Sequence, residues 1–350
     1  MNVLVVGATG YSGLELIRLI IQHPKLNIYK LYASNQAYQS VLDIYPHLKG
    51  FIDIAIDTIG ELSDEQLIEL RKSVEIVFLA TPSGVSTDLG PIFLRHGFKV
   101  IDLSGDFRLK NPDIYRQWYQ LESPSNDLLE QATYGLAEWF YEDIRKANYI
   151  ANPGCYATGI LLALAPLFNN HVPVKSIIID AKSGVSGAGR GLSRGTNFSE
   201  VNDNFKVYKV GTHKHIPEVE QIISLLDGKS HTIQMMPHLV PMTRGILSSI
   251  YIDLDIETTY DEIFNLYQDA YGKQPFIRLC EEGKYPETKN VYGTNFCDIS
   301  IYLDQRTKRL IIFSVIDNLM KGAAGQAVQN LNIMMGWEQE LGLTYIPCYP

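Results

Sequence analysis

Three glycines near the N-terminus constrain this chain more than any other feature. The apolar run Asn2–Val6 is followed at once by Gly7, and the turn Gly-Ala-Thr-Gly-Tyr-Ser-Gly ends at Gly13. An apolar run that stops at a glycine is typical of a buried parallel strand, and the apolar residues that follow recur at helical spacing. Glycines allow a tight turn and close approach of a ligand, while a helix N-terminus offers amide donors to a pyrophosphate. The pattern therefore predicts a dinucleotide site; the alternative is a tight turn without a ligand. The residues expected to line the site are Gly7, Thr9, Gly10, Tyr11, Ser12 and Gly13.

The end of the second predicted strand indicates which dinucleotide binds. Enzymes that use NAD place Asp or Glu there to hold the ribose 2′-hydroxyl. In this chain the strand ends Leu31-Tyr-Ala-Ser34-Asn35, which contains no carboxylate. Small hydroxyl and amide groups leave room for a 2′-phosphate, although an arginine to pair with it is missing. We therefore expect NADP(H), with Ser34 beside it.

The order of predicted elements divides the 350 residues into two domains. The first half alternates strands and helices, which is typical of βαβ units in a doubly wound, Rossmann-type parallel sheet. The second half is richer in strands, so we expect an α+β domain with a mixed, largely antiparallel sheet. We predict an NADP-binding domain from 1–150 and 319–350, discontinuous because the last helix returns to it, and a second domain from 151–318. The predicted strands are 2–6, 28–33, 74–80, 99–103, 176–181, 232–236, 245–254, 298–303 and 309–315. The predicted helices are 14–21, 65–72, 86–96, 155–168 and 322–335.

Charge and composition exclude several classes of protein. Thirty basic against 39 acidic residues give a net charge of -9, and no basic stripe that would bind nucleic acid is visible. The longest strongly apolar stretch, 160–168, is far short of the roughly 20 residues that a membrane-spanning helix needs. The four cysteines have no metal-ligand spacing, so we expect no metal and reduced thiols. We expect a soluble, cytoplasmic protein with a small-molecule substrate, held by a few local cations.

Cys155 is the strongest candidate for a catalytic residue. It follows Pro153 and Gly154, and an apolar helical pattern begins directly after it. A thiol at a helix N-terminus is favoured as thiolate by the helix dipole, which makes it a candidate nucleophile. The alternative is a buried, inert cysteine at a helix start. Its position at the predicted domain junction favours the nucleophile.

At this segment the chain resembles the N-acetyl-gamma-glutamyl-phosphate reductase family, which is distantly similar to aspartate-semialdehyde dehydrogenase. The resemblance covers essentially the whole chain, and one departure is Gly105, where the family more often has alanine. It rests on these blocks: Gly7-Ala-Thr-Gly-Tyr-Ser-Gly-Leu-Glu-Leu16, Asp102-Leu-Ser-Gly-Asp-Phe-Arg-Leu109, Ile150-Ala-Asn-Pro-Gly-Cys-Tyr-Ala-Thr-Gly159, Gly211-Thr-His-Lys-His-Ile-Pro-Glu218 and Asn318-Leu-Met-Lys-Gly-Ala-Ala-Gly325.

The resemblance implies NADPH-dependent reduction of an acyl phosphate to an aldehyde in arginine biosynthesis, through a thioester on Cys155. It favours His215 as the acid/base and His213 as a neighbour or substrate contact, because histidine titrates in the required range. The two could exchange roles, or form only a solvated polar turn. The resemblance also implies homodimers or homotetramers, with 151–318 as the catalytic and oligomerisation domain. The sequence does not distinguish an acetyl from a succinyl substrate.

Further residues complete the expected site. Arg108 follows a predicted strand and suits a carboxylate clamp, the role of its family counterpart. The glycine-rich loop from Ser183 and Gly184 to Arg190 offers amides, hydroxyls and a guanidinium for an oxyanion or phosphate, unless it is simply mobile. The residues expected near the cofactor are Thr81, Pro82 and Ser83, after a parallel strand, and Asn318 and Lys321, before the last helix.

Three other functions compete with this interpretation. A non-catalytic NADP-binding regulatory module would use the glycine turn but leave Cys155 and the two histidines idle. An aminoadipyl-phosphate reductase of lysine synthesis acts on a carrier-bound substrate and would call for a basic docking patch, which the net charge does not supply. Aspartate-semialdehyde dehydrogenase is disfavoured by the block that ends at Glu218.

Overall fold

The computed structural model describes residues 1–33, 37–60 and 62–349. It divides into two compact units. Unit 1 consists of Met1–Pro153 and Ala323–Thr344, and unit 2 consists of Gly154–Gly322 with the residues from Tyr345 onward. The chain thus returns to unit 1 four residues later than the expected 319 and leaves it again before the C-terminus. The later return follows from packing inside unit 2, where Gly322 lies against Cys155.

Unit 1 is built on a parallel sheet with the strand order β3-β2-β1-β4-β5-β7-β6. Its strands, within the described ranges, are β1 (Asn2–Val6), β2 (Asn27–Ala33), β3 (Ile56–Thr58), β4 (Ile76–Leu79), β5 (Lys99–Asp102), β6 (Ala132–Tyr134) and β7 (Tyr149–Ala151). Its helices there are α1 (Tyr11–Gln22), α2 (Asp64–Ser73), α3 (Ser86–Arg95), α4 (Pro112–Tyr119), α5 (Asn126–Gln131), α6 (Tyr141–Lys146) and, at the end of the chain, α11 (Gly325–Met334).

The centre of this sheet contains a topological switch point. From β1 the chain moves to β2 and β3 on one side, and then crosses to β4 on the other. Val6 at the end of β1 pairs in register with Tyr32 and Leu79 at the ends of its two neighbours. Ligands of open parallel sheets bind outside the carboxyl ends of the strands at such a point. The glycine turn and the loop after β4 both begin there.

Unit 2 contains a mixed sheet with the order β12-β13-β14-β11-β8-β10-β9. The pairs β8–β10 and β12–β13 are parallel and the other pairs are antiparallel. The described strands are β8 (Val174–Ser183), β9 (Lys206–Val207), β10 (Gln234–Leu239), β11 (Ile246–Leu254), β12 (Ile277–Leu279), β13 (Cys297–Asp304) and β14 (Arg309–Ile316), and the helices are α7 (Cys155–Asn169), α8 (Phe198–Val201), α9 (His215–Asp227) and α10 (Tyr260–Tyr271).

Helix α7 is the core of unit 2 and packs on α9, α10, β11 and β14. Its side chains are buried from Tyr156 to Phe168. Pro166 has no N–H to donate to the carbonyl of Leu162 one turn earlier. The hydroxyl of Tyr271 in α10 donates to that carbonyl instead, at 2.6 Å. The proline therefore leaves no unsatisfied acceptor at this point in the core.

The predicted fold class is confirmed: a Rossmann-type parallel sheet is joined to an α+β unit with a largely antiparallel sheet. Three described helices of unit 2, α8, α9 and α10, were not predicted. The last helix begins later than the expected 322, because the π-helical turn Met320–Ala324 precedes α11. Within the described ranges, every helix is too short or too polar to cross a membrane.

Candidate active site

Cys155 is the first residue of α7, and its thiol is partly exposed. Gly154 before it is extended, with φ −68° and ψ 150°. Glycine has no side chain that could cap the helix, so the N-terminal end of the helix dipole acts directly on the residues at this position. The thiol therefore stands where a negative charge is favoured.

Two glycines of unit 2 bring other groups close to Cys155. A β-carbon added at Gly154 would come within 2.3 Å of Nε2 of His215. A β-carbon at Gly322 would come within 2.8 Å of the β-carbon of Cys155. Both close contacts are possible only because glycine has no side chain. The imidazole of His215 thus lies directly against the backbone that precedes the thiol.

The two histidines of the His-Lys-His sequence contact each other. His215 is the first residue of α9, and its ring centroid is 4.7 Å from that of His213. The backbone N–H of His215 donates to Nδ1 of His213 at 3.2 Å. An accepting Nδ1 means that the neutral ring of His213 carries its proton on Nε2. His213 is thus a donor towards its surroundings.

His213 is held in the neutral state. Burial lowers its pKa to about 2, with the positive charges of His215, Lys209 and Lys214 acting in the same direction and Glu218 opposing them. A ring with such a pKa stays neutral at every pH at which an enzyme works. His215 is consequently the better candidate for proton transfer, as the family resemblance favoured.

Glu218 joins the two helices that hold Cys155 and His215. Its side chain is buried, and Oε1 accepts the backbone N–H of Gly154 at 2.8 Å. Glu218 also lies in the first turn of α9, where the helix dipole favours a carboxylate. One buried charge therefore fixes the start of α7 relative to the start of α9.

These groups surround a cavity of about 160 Å³. It contains four of the residues expected at the catalytic and substrate site: Cys155, His215, His213 and Ser183. Residues that sequence analysis missed also line it, among them the cations Lys209 and Lys214. The remaining lining residues are Tyr156, Gly187, Tyr208 and Leu239.

The structure does not bring Gly184 and Arg190 to the lining of this cavity. The N–H of Gly184 donates to the carbonyl of Gly245, and a β-carbon at Gly184 would meet Arg244 N at 2.8 Å. This glycine therefore serves a close backbone packing. Arg190 is exposed, one residue beyond Gly189, whose φ is +83°.

Arg108 belongs to unit 1, where it connects the ends of two strands. Its Nε donates to the carbonyl of Asn152 and one terminal nitrogen donates to the carbonyl of Leu103, both at 2.8 Å. The side chain is buried, with 7% exposure. These two bonds anchor the guanidinium at the carboxyl ends of β5 and β7.

The glycine turn of unit 1 has the shape that a dinucleotide requires. Gly7 adopts φ +90°, and a β-carbon on it would come within 2.2 Å of the carbonyl oxygen of Ala80. A β-carbon on Gly13 would come equally close, 2.2 Å, to the carbonyl oxygen of Gly7. Gly10 precedes α1 and offers no capping side chain. Thr9 belongs to the turn, and α1 begins with Tyr11, which is 36% exposed, and Ser12. The amide groups at the start of α1 therefore fit a pyrophosphate.

The loop after β4, which contains Thr81, Pro82 and Ser83, is held by a buried carboxylate that sequence analysis missed. The N–H of Gly84 donates to both oxygens of Asp106, at 2.9 and 2.8 Å, and the N–H of Ser86 donates to one of them at 3.2 Å. Thr81 Oγ1 lies 3.0 Å from Ser86 Oγ. Asp106 is fully buried. This loop is thus fixed beside the switch point, whereas Ser34, expected at the same site, lies outside the described residues.

Asn318 and Lys321, expected near the cofactor, belong to unit 2 and are buried there. The amide of Asn318 accepts from Gly245 N at 2.7 Å and donates to Ser186 Oγ at 2.9 Å. Lys321 lies in the π-helical turn, with Nζ 5.9 Å from the ring centroid of Phe276. Their polar atoms therefore make contacts inside unit 2.

Comparison with known proteins agrees with this architecture. Residues 2–147 match the family model described as semialdehyde dehydrogenase, NAD binding domain, and residues 155–318 match semialdehyde dehydrogenase, dimerisation domain. Among solved structures, a probable aspartate-semialdehyde dehydrogenase from Pseudomonas aeruginosa has a TM-score of 0.71 at 20% identity, covering 96% of this chain and 98% of its own. Aspartate semialdehyde dehydrogenase with NADP from Candida albicans has a TM-score of 0.68 at 16% identity, covering 95% and 98%. These two likenesses establish the fold.

More similar sequences establish the family. Proteins named N-acetyl-gamma-glutamyl-phosphate reductase from Geobacillus sp. (strain WCH70) and Brevibacillus brevis are each 48% identical to this chain. The first alignment covers 100% of both chains and the second covers 99% of both. Such identity over the full length confirms the resemblance seen in the sequence blocks, and the chain belongs to the N-acetyl-gamma-glutamyl-phosphate reductase family.

Proposed function

We propose that this protein reduces N-acetyl-gamma-glutamyl phosphate to N-acetylglutamate 5-semialdehyde with NADPH and releases phosphate, as a step of arginine biosynthesis. The observation that carries the proposal is the shared cavity of Cys155, His215 and His213 at the starts of two helices. A thiol at a helix N-terminus beside an imidazole is the arrangement that acyl transfer to sulfur needs.

In the first step the sulfur of Cys155 attacks the acyl carbon, and a C–S bond replaces the C–O bond to phosphate. The leaving phosphate takes the electron pair of the broken bond. The proton of the thiol passes to His215 and from there to the departing oxygen, so charges and protons balance. The product of this step is a thioester on Cys155.

In the second step the thioester is reduced. NADPH, when bound, supplies the hydride for this reduction. His215, reprotonated from water after the first step, protonates the acyl oxygen as the hydride adds to the carbon, which gives a thiohemiacetal on Cys155. It then takes that proton back as the C–S bond breaks, so that the aldehyde leaves and the thiolate is restored. His213, neutral and protonated on Nε2, acts as a hydrogen-bond donor to the substrate and does not titrate.

Cofactor binding is assigned to the loops at the switch point of unit 1. The turn from Gly7 to Gly13 would hold the pyrophosphate through backbone amides, and the loop from Thr81 to Ser83 would line the same edge of the sheet. Strand β2 ends without a carboxylate, which supports NADP(H) over NAD(H).

Substrate binding is assigned to Arg108 as the carboxylate clamp and to Ser183 in the cavity. Gly184 and Arg190, which do not line the cavity, are assigned to the loop that follows Ser183. We further propose a homodimer or homotetramer, in line with the match of residues 155–318 to a dimerisation domain. A cytoplasmic location is proposed because the reaction consumes intermediates of amino-acid biosynthesis.

The test is the reverse reaction, in which purified protein oxidises N-acetylglutamate semialdehyde. We expect NADPH to form only when phosphate is also present, since phosphate must release the acyl group from Cys155. Activity with NADP and semialdehyde that does not depend on phosphate would contradict the proposal. An aminoadipyl substrate on its carrier protein serves as the competing substrate.

A further inference from the structure

The cavity around Cys155 has its own cations. The glycine-rich loop was expected to supply the guanidinium of Arg190, but the positively charged side chains that line the cavity are those of Lys209 and Lys214. With a net charge of -9 on the whole chain, an anion in this cavity depends on such local charges.

The charge of Lys209 has no acidic neighbour to compensate it. Among the carboxylates of residues 1–33, 37–60 and 62–349, none lies within ion-pair distance of its ammonium group. The side chain is exposed at the mouth of the cavity. Its charge nevertheless reaches the interior, because it contributes to the lowered pKa of His213.

The backbone at Lys209 is held in an unfavourable conformation. Its φ is +47°, in the left-handed region that residues with a β-carbon rarely adopt. The position is fixed from both sides: the N–H of Tyr208 donates to the carbonyl of Pro237, and the carbonyl of Lys209 accepts from Thr212. Such strain persists where the surroundings impose it, and it is often found at functional sites.

We propose that Lys209 binds the phosphate group of the acyl phosphate at the mouth of the Cys155 cavity and holds it as it leaves. The inference rests on the proposed function and adds a subsite to it. The ammonium transfers no proton; it offsets the negative charge that collects on the departing oxygen when the C–O bond breaks. In the reverse direction the same group holds inorganic phosphate for attack on the thioester.

The experiment uses the reverse reaction of the full-length protein, because inorganic phosphate is then a separate substrate with its own KM. We expect Lys209→Met to raise the KM for phosphate by about tenfold or more, as for the loss of one charge-assisted hydrogen bond. The kcat at saturating phosphate and the KM for the semialdehyde should stay within about threefold of wild type. Lys209→Arg should restore much of the phosphate affinity.

Two further variants separate this role from a structural one. Lys273→Met removes the same charge from an exposed position of unit 2 that does not line the cavity, and it should leave every constant unchanged. Lys209→Gly should raise the KM for phosphate as strongly as Lys209→Met while the Tm stays equal to wild type or rises, because glycine accepts the left-handed conformation.

The assignment is overturned if the KM for phosphate stays within about twofold of wild type in Lys209→Met, or if Lys214→Met raises it and Lys209→Met does not. A fall in kcat without a change in this KM overturns it as well. If wild-type protein shows no phosphate-dependent turnover, the proposed function itself fails. The two failures are therefore distinguishable.

Discussion

The imidazole of His215 lies so close to Gly154 that a β-carbon there would be 2.3 Å from its Nε2. We therefore expect Gly154→Ala to displace the ring from its place beside Cys155 and to lower kcat by on the order of 10². The dissociation constant for NADPH, measured by fluorescence, should not change. Gly191→Ala is the matched control, because within the described part of the chain no atom beyond the two neighbouring residues lies within 4 Å of a β-carbon at that glycine. Equal kcat values for the two variants would show that catalysis does not depend on the His215 ring lying against Gly154.

Cys155→Ser should remove turnover almost entirely. At neutral pH the population of alkoxide is far smaller than that of thiolate, so the acyl group is not transferred. NADPH binding should remain within a few-fold of wild type. Steady-state kinetics and a binding titration measure the two effects, and retained activity above about 10% would rule out Cys155 as the nucleophile.

His215→Asn and His213→Asn should behave differently. His215→Asn should lower kcat and kcat/KM together, by about 10² or more, because asparagine cannot exchange a proton. The proposed function makes the neutral His213 a hydrogen-bond donor to the substrate, so His213→Asn should mainly raise the KM for the substrate. Profiles of kcat/KM against pH show which of the two histidines transfers the proton. If the two phenotypes are exchanged, His213 is the acid/base.

The neutral state of His213 also affects stability. Its pKa is about 2 in the folded protein and near 6.5 in the unfolded chain, so below pH 6.5 the unfolded state binds a proton that the folded state does not. The contribution of this group to stability is complete above pH 6.5 and is lost as the pH falls. Against His213→Asn, wild type should lose up to about 1.4 kcal/mol of unfolding free energy per pH unit below 6.5. Urea denaturation between pH 7.5 and 5 measures the difference, and a constant difference would mean that the pKa of His213 is the same in the folded and the unfolded protein.

Gly7 and Gly10 should differ in what they contribute to the glycine turn. A β-carbon at Gly7, where φ is +90°, would overlap the carbonyl oxygen of Ala80. Gly7→Ala should therefore destabilise unit 1 by several kcal/mol, on the order of a strained, overpacked site. A β-carbon at Gly10 meets only ordinary contact at 3.5 Å, so Gly10→Ala should keep the Tm and weaken NADPH binding. Thermal melts and cofactor titrations test the pair, and equal losses of Tm would contradict the distinction.

The glycine turn and the start of α7 at Cys155 could be predicted because their signals are local. A strand that ends in glycine before an amphipathic helix has few alternatives, and Pro153-Gly154 before an apolar run indicates a helix that begins at Cys155. The fold class followed from the same alternation of elements, repeated along the first half of the chain.

The rest of the site depends on tertiary contacts. The local sequence of residues 213–215 is compatible with either a strand or a helix. In the structure α9 begins at His215 and packs on α7, and this packing decides where His215 lies. Lysine disfavours the left-handed conformation that Lys209 adopts, so the sequence pattern does not predict it. Arg190 illustrates the converse: its residue type suits an anion, but the exposed position after Gly189 takes it away from the cavity lining.

The close packing at Gly154 and Gly322 has a consequence for redesign of the substrate range. Neither glycine has a side chain that could be shortened, and a side chain added at Gly154 would displace His215, whereas one added at Gly322 would displace Cys155. Space for a bulkier acyl chain is better made by shortening the side chains of Leu239 and Tyr208, which also line the cavity. A mutant library aimed at longer acyl phosphates is best restricted to those two positions, with both glycines left untouched.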